Sequence, residues 1–349
     1  TCALPISPYL RPVYQELAEQ CGELTILLSA LTEQNRQWVP DVRELPVVLQ
    51  RTFSVTQIWK HPSGFAEAGT LHVPYDTLPR LMRYRPDVVI AGEMGFRSLQ
   101  AWLYTLVNSS CRLVLWAKVS DVTERGRGWL RRTARGFLAR RASAVIVNGK
   151  GGSRYIEGLG VPRSRIYAIP QTTDLRALSA LPVEKDGADR KRLLYCGSLS
   201  ERKGILPFLR CLARWCSANP SVGVDLDVVG HGTLRDSLEN LPRPGNLRLT
   251  IRDNVAYEDL PGVYGSAGLY IFHTLADEWG MVITEAMAAG LPVIGSRFSQ
   301  AVEELVQDEV TGWTFHPDRE DELLGVLDRA LYTPADELTQ MGRRARAAV

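Results

Sequence analysis

Short apolar runs rich in branched residues recur along this chain, separated by polar turns and by stretches with helical periodicity. In the first half they are Leu24-Thr-Ile-Leu-Leu, Val88-Val-Ile-Ala, Leu113-Val-Leu-Trp, Ala144-Val-Ile-Val and Ile166-Tyr-Ala-Ile. A strand that reads apolar on both faces must be covered on both, which calls for a parallel sheet between helices. The segment from Leu178 to Arg192 breaks this pattern with Pro182, Gly187, mixed charge and little apolar content, and it reads as a linker. Beyond it the pattern restarts with Leu193-Leu-Tyr-Cys-Gly, Val224-Asp-Leu-Asp-Val-Val-Gly, Leu247-Arg-Leu-Thr-Ile, Leu269-Tyr-Ile-Phe and Pro292-Val-Ile-Gly. Ile205, Leu209, Leu212 and Cys216 mark one of the helices between them. The expectation is an α/β chain of two doubly wound parallel-sheet domains, residues 1–177 and 193–349, joined by 178–192. Ligands then belong in the cleft facing the carboxyl ends of both sheets.

A chain of 349 residues with 45% hydrophobic content has enough apolar material for two cores. The net charge of +2 is too small to argue for nucleic acid, so none is expected as a partner. It hides a local imbalance, because Lys118 to Arg141 holds eight basic residues against Asp121 and Glu124. Cys2, Cys21, Cys111, Cys196, Cys211 and Cys216 form no CxxC pair and read as reduced core residues. No run is long enough to span a membrane and no secretory signal is evident, so a cytoplasmic location is the default expectation. The chain begins at Thr1 without methionine, Cys2-Ala-Leu-Pro-Ile reads as the end of a strand, and Val349 falls within a helical pattern. Both ends therefore read as cut.

The stretch Asp277 to Ile294, DEWGMVITEAMAAGLPVI, carries the most chemistry. Val282, Ile283, Ala286, Met287 and Ala289 follow helical spacing after Gly280, and Gly290-Leu-Pro-Val-Ile ends the helix and opens a strand. Gly280 leaves the helix entrance bare, so an anion can reach the N–H groups of Met281 and Val282 at the positive end of the helix dipole. Glu285, one turn further in, suits a ribose diol. Gly197-Ser-Leu-Ser-Glu-Arg-Lys-Gly204 sits where the second domain's first strand turns into a helix, a glycine turn with cations that suits a diphosphate. Arg202 and Lys203 also read as solvated residues of a first helical turn on spacing alone. Gly230-His-Gly232 is a short glycine turn and no dinucleotide fingerprint, since Arg235 stands where a third glycine is needed. Asp225 and Asp227 form a DxD inside an alternating strand and read as exposed strand residues, and the histidines show no ligand spacing, so no metal is expected.

The Asp277 to Gly290 stretch resembles the C-terminal signature of retaining glycosyltransferases of family 4 (group 1): Glu, seven residues, Glu, a central Gly, and an Ala-Met-Ala-Ala-Gly tail. That resemblance implies the GT-B fold, with acceptor on the first domain and nucleotide-sugar donor on the second. It implies a donor site of Gly197, Ser198, Arg202, Lys203, Glu278, Gly280, Met281, Val282 and Glu285, with Lys203, Asp277 and Glu285 in catalysis and no bound cofactor. This sequence departs from the family at Asp277, where Glu is usual. Either Asp277 reaches the same point on a shorter arm or Glu278 takes over. Ser198 likewise replaces an Arg of the phosphate loop, halving the expected positive charge there unless Arg202 supplies it.

On the acceptor side, Pro8-Tyr-Leu-Arg-Pro-Val-Tyr14 resembles the entry to the first helix in a subgroup of that family. Glu93 and Arg97 follow the strand ending at Ala91, where acceptor-recognising groups project, and a solvated loop is the other reading. A His usual in the family is missing from Trp116 to Asp121, and Gln171-Thr-Thr-Asp174 stands for its Asn-Gly-Val-Asp turn. Arg125, Arg127, Arg131, Arg132, Arg135, Arg140 and Arg141 run beside Trp129, Leu130, Phe137 and Leu138, which are expected on the apolar side of one helix. Such a helix either lies on an anionic membrane surface or covers the sheet with its arginines in water. The favoured mechanism in the family is front-face, a departing phosphate oxygen taking the acceptor proton. The competing expectation is a catalytically silent nucleotide-sugar-binding or partner protein of the same fold.

Overall fold

The computed structural model describes Ile6 and residues 10–31, 42–185 and 189–349. The chain divides into two compact units, Thr1–Pro62 with Glu67–Thr173, and Ser63–Ala66 with Asp174–Val349. The strand end read at Cys2 to Pro5, Pro8 and Tyr9 of the first helix entry, and Gly187 lie outside the described residues.

Unit 1 contains α1 (Arg11–Gln20), β1 (Ile26–Leu28), β2 (Val47–Leu49), β3 (Thr52–Lys60), β4 (Ala66–Pro74), α2 (Thr77–Tyr84), β5 (Val88–Ala91), α3 (Phe96–Val107), β6 (Arg112–Ala117), α4 (Trp129–Arg141), β7 (Ala144–Val147), α5 (Lys150–Glu157) and β8 (Ile166–Ala168). Strands β5 to β8 pair in parallel in chain order, with Val88 opposite Arg112, Val114 opposite Ala144 and Val145 opposite Ile166. Strand β1 does not join them. It pairs in parallel with β2, Ile26 opposite Val47, around a small core that includes Leu28 and Leu45. Strands β3 and β4 form a two-stranded sheet of their own that the sequence reading did not anticipate. Phe53, Val55 and Trp59 fall on one face, at intervals of two and four among polar residues, and both faces of β3 stay largely exposed, so no all-apolar run marks it.

The basic segment departs from expectation. Arg125 and Arg127 precede α4, and Trp129 and Leu130 at its start are 72% and 66% exposed, whereas Leu138 is buried against the sheet. The four apolar residues therefore do not share one covered side. The arginines are not all in water either: Arg135 pairs with the buried Glu124 at 2.5 Å, Arg140 donates to the Leu159 carbonyl at 2.7 Å, and Arg127 lies 3.3 Å from the centre of the Trp59 ring.

Unit 2 contains α6 (Arg176–Ser179), β9 (Leu193–Cys196), α7 (Ile205–Ala218), β10 (Val224–Val229), α8 (Arg235–Glu239), β11 (Leu247–Arg252), α9 (Leu260–Gly265), β12 (Leu269–Phe272), α10 (Met281–Ala288), β13 (Val293–Ser296), α11 (Gln300–Leu305), β14 (Gly312–Phe315), α12 (Glu320–Tyr332) and α13 (Ala335–Ala347). All six strands are parallel in the order β11-β10-β9-β12-β13-β14. Alternate residues serve two cores. Leu193 and Tyr195 of β9 and Ile271 of β12 pack with Phe208, Leu209 and Leu212 of α7 and with α12 on one face. Leu194, Tyr270 and Phe272 pack with Ile283 and Met287 of α10 on the other. Each such side chain contributes roughly 1.5–3 kcal/mol on burial, so both faces must stay covered. Cys111, Cys211 and Cys216 are buried and Cys196 is half-buried, but Cys21 is exposed, contrary to expectation, because it lies just past the end of α1. No described helix is long and apolar enough to cross a membrane.

His273 follows β12 with its ring 5.3 Å from that of Phe315 and 6.0 Å from that of Phe208. Its Nδ1 finds no hydrogen-bond partner among the described residues, and burial pushes its pKa down to about 4. The unfolded chain takes this proton near pH 6.5 and the folded chain only near 4, so the stabilising effect is whole above 6.5 and drains as pH falls through that window. Unfolding midpoints measured from pH 7 to 4 are expected to decline, and His273→Phe to remove much of the decline. An unchanged slope in the variant places the acid sensitivity elsewhere.

Candidate functional site

The strand order of unit 2 reverses between β9 and β12, and a doubly wound sheet takes its ligand at the carboxyl ends of the strands beside such a switch. Two loops leave there, Gly197–Gly204 after β9 and His273–Gly280 after β12. The first is held from behind by the loop after β10. The Gly197 N–H donates to the Val229 carbonyl at 3.0 Å and the Leu199 N–H to that of His231 at 2.9 Å. A Cβ on Gly230 would stand 1.9 Å from the Gly197 oxygen, so the close backbone approach requires glycine there. Ser198 is exposed, and its carbonyl accepts from the Tyr195 hydroxyl at 2.7 Å.

Glu201–Lys203 is one 3-10 turn leading into α7. Neighbouring residues on such a turn diverge by about 100° or more. Arg202 and Lys203 nevertheless reach the same segment, because that segment lies across the turn, with the Leu275 N–H donating to the Arg202 carbonyl at 2.8 Å. The Lys203 ammonium donates to the Asp277 carboxylate, and the Arg202 guanidinium pairs with Glu278 while its Nε donates to the Ala276 carbonyl at 2.9 Å. Asp277 is 6% exposed, and its other oxygen accepts from the Trp279 N–H at 3.1 Å. Burial pushes the Asp277 carboxyl up, but Lys203 and Arg202 more than offset it and hold it below the usual carboxylate range. Of the two acids, Asp277 is thus the buried partner of Lys203 and Glu278 the more exposed partner of Arg202.

Side chains that the sequence reading missed fix this segment from behind. Thr274 donates to the Ala276 carbonyl at 3.0 Å, Ser296 to that of Thr274 and Ser299 to that of Trp279 at 2.6 Å each, and Gln300 donates to that of Glu278. The available signal was a Ser-Arg-Phe-Ser-Gln run at the end of a buried strand, polar residues where β13 gives way to α11.

Gly280 caps α10 with φ +102°, a conformation costly to residues with a side chain. A Cβ there would lie 2.7 Å from the Ser299 hydroxyl and 3.1 Å from the Phe272 ring. The Lys203 ammonium lies 5.3 Å from the centre of that same ring, so the helix mouth and the cation stand together. No side chain caps α10, and Met281 and Val282 are only half-buried. Positive helix end and ammonium thereby make a place for an anion. Glu285 sits deeper, 1% exposed, accepting from the Tyr264 hydroxyl at 2.7 Å. It also adjoins Cys196, whose thiol burial and Glu285 push up to about 12. Asp225 and Asp227 stand half-buried on β10, within 3.5 Å of Arg248 and 3.4 Å of Arg252, rather than fully exposed.

In unit 1, Glu93 and Arg97 both lie near the carboxyl end of β5, and neither is a solvated loop charge. Arg97 is on the first turn of α3 and 0% exposed. It donates to Gln50 at 3.0 Å and to Ser29, and stands 3.6 Å from Glu93. Burial raises the Glu93 carboxyl above its ordinary range, against the opposing charges of Arg97, His72 and Arg135.

A doubly wound parallel sheet, with a bare helix entrance and an ammonium beside its switch point, defines a class that comparison with known proteins makes specific. A model for glycosyl transferases group 1 matches residues 190–332, and one for a glycosyl transferase 4-like domain matches residues 6–172. The chain belongs to the group 1, family 4 glycosyltransferases and has the GT-B fold. It is 30% identical over 149 residues to an uncharacterized glycosyltransferase of Methanocaldococcus jannaschii, 41% of this chain and 36% of the relative. It is 26% identical over 154 residues to mannosylfructose-phosphate synthase of Agrobacterium fabrum, 40% of this chain and 34% of the relative. These matches span less than half the length of those relatives. Among solved structures, Anabaena HepE in complex with UDP and glucose superposes with a TM-score of 0.69 at 16% identity, covering 99% of this chain and 92% of that one. Sucrose-phosphate synthase of Thermosynechococcus elongatus gives 0.68 at 16% identity, with 97% and 87% covered.

Asp277→Asn removes the carboxylate from a largely buried ammonium and is expected to cost about 1–3 kcal/mol in urea unfolding at pH 7. The wild-type advantage is present above the ordinary Asp value of 3.8 and disappears as pH falls below it towards the depressed folded value. Equal stability of the two proteins at pH 7 would mean that the pair adds nothing.

Proposed function

We propose that this chain transfers a sugar from a nucleotide-diphosphate-sugar to a carbohydrate or lipid-linked acceptor with retained anomeric configuration, in surface polysaccharide or glycoconjugate synthesis. The acceptor is assigned to residues 1–177 and the donor to 193–349, with 178–192 between them. The observation that carries this reading is the pairing of Lys203 with Asp277 and of Arg202 with Glu278 beside the bare mouth of α10.

Two cations and two carboxylates leave that patch neutral until donor arrives. A diphosphate offers Lys203 and Arg202 the same charge in a better-placed form, and the helix end adds dipoles that the carboxylates do not use. In this reading the ammonium exchanges Asp277 for phosphate, and the released carboxylate turns to the hydroxyls of the transferred sugar. Gly197 and Ser198 line the phosphate path through their backbone, and Met281 and Val282 donate N–H groups. Glu285, steadied by the Tyr264 hydroxyl, takes the ribose diol. Charge that develops on the leaving oxygens as the anomeric bond breaks then meets fixed positive groups, so this reading gives a metal no task. A departing phosphate oxygen takes the acceptor proton, which needs no strong protein base. A silent binding protein is the alternative, and turnover separates the two.

Lys203→Ala and Glu285→Gln are each expected to lower donor turnover more than tenfold, or about 1.4 kcal/mol in the barrier. The assay is hydrolysis or transfer across a panel of nucleotide-sugars. Undiminished rates in both variants would remove the site assignment, and donor binding without turnover in the wild type would favour the silent protein.

The basic segment 125–141 is assigned to peripheral contact with anionic membrane, through exposed Trp129 and Leu130 among Arg125, Arg131 and Arg132. Co-sedimentation with vesicles rich in phosphatidylglycerol at low salt is expected, and Trp129→Ser with Leu130→Ser should weaken it severalfold. No binding by the wild type discards this contact.

A further inference from the structure

At the carboxyl ends of β1, β2 and β5 the buried positive group that a phosphate or carboxylate would need, Arg97, is already committed. The Arg97 guanidinium is fully buried and turned to Gln50, Ser29 and Glu93, at the carboxyl ends of β2, β1 and β5. Gln50 is itself held by the Thr77 hydroxyl at 2.7 Å, so this fan of side chains is fixed. The mouth of α3, another seat for an anion, carries the protein's own carboxylate: a Cβ on Gly95, the cap residue, would lie 3.5 Å from the Glu93 carboxyl carbon. Glu93 differs from Arg97 in keeping an opening to solvent. Its Oε1 is enclosed beside the Arg97 guanidinium at 3.6 Å without a hydrogen bond, while the side chain keeps 24% of its surface open, which leaves the other oxygen to meet a docking hydroxyl. A buried carboxylate short of donors gains from any O–H that docks on it, whereas a second anion there meets repulsion.

Resting on the glycosyltransferase reading above, we infer that Glu93 binds a hydroxyl of an uncharged sugar acceptor and excludes phosphorylated or carboxylated sugars at that point. Arg97 is a positioning residue that holds Glu93 and never touches the acceptor. Burial raises the Glu93 carboxyl, while Arg97 on α3, His72 on β4 and Arg135 on α4 draw it back down. Acceptor binding that needs the carboxylate therefore weakens on the acid side. Arg97→Gln should move that limb to higher pH, an effect that loss of packing alone does not produce.

The test uses the full chain and a donor found by hydrolysis across UDP-glucose, UDP-galactose, UDP-N-acetylglucosamine and GDP-mannose. Octyl β-D-glucopyranoside and octyl β-D-galactopyranoside are compared as acceptors with glucose 6-phosphate and glucuronic acid. Transfer to a neutral glycoside is expected, with Glu93→Gln raising its KM about tenfold or more while donor hydrolysis and donor KM stay unchanged. Faster transfer to an anionic sugar, an unaltered acceptor KM in Glu93→Gln, or donor hydrolysis without transfer to either glycoside overturns the inference. Absence of donor hydrolysis in the wild type refutes the parent reading instead. In that case saturation-transfer NMR with the same glycosides still decides the role of Glu93, since loss of signal in Glu93→Gln supports it and an equal signal or none in the wild type rejects it.

Discussion

Two neighbouring cations hold two neighbouring carboxylates at the point where the unit 2 sheet reverses its strand order, and the site around them depends on that grip. Lys203 and Arg202 close the loop after β9 onto the loop after β12, joining the two strands that flank the switch point. Without the grip, Asp277 in the donor-free protein would be a buried charge with only the Trp279 N–H as partner, which costs stability. With it, the Thr274–Gly280 segment is drawn tight and Gly280 is delivered at the start of α10 with its φ of +102°. The polar side chains of Ser296, Ser299 and Gln300 finish the work from the other side.

The same logic recurs in unit 1 with the accents reversed. There the cation, Arg97, is the completely buried member, and the carboxylate, Glu93, retains access to solvent. At the unit 2 site Asp277 is the more enclosed partner and Lys203 the more accessible. An accessible cation invites an anion, and an accessible carboxylate invites hydroxyls. The charged donor and the neutral acceptor proposed above would suit that division of labour.

Much of the framework was legible because buried parallel strands leave a strong imprint. Among the described residues, every apolar run singled out in the sequence contains a strand, since β-rich apolar segments fill the middle of a three-layer domain. Strands β2, β3, β4 and β14 were not legible. Val47–Leu49 directly follows Pro46 and is not fully enclosed, Gly312–Phe315 mixes Gly and Thr into its run, and β3 and β4 lack an all-apolar core. The basic segment misled for a different reason. Spacing along a helix tells which residues share a side but not where the helix begins, and α4 starts only at Trp129, which leaves Trp129 and Leu130 in solvent.

At the site, residue types and spacing determined that a bare helix entrance follows two acids and that a glycine loop with two cations follows the first strand of unit 2. Those are local facts, written in consecutive residues and enforced by backbone geometry. Which acid meets which cation was decided by the tertiary structure alone, because it turns on how the 276–278 segment crosses a turn more than seventy residues away. The burial of Arg97 and the enclosure of Glu285 by Tyr264 belong to the same category. A sequence names the charges, but their solvation depends on what the rest of the chain stacks around them, and solvation sets what each charge can bind.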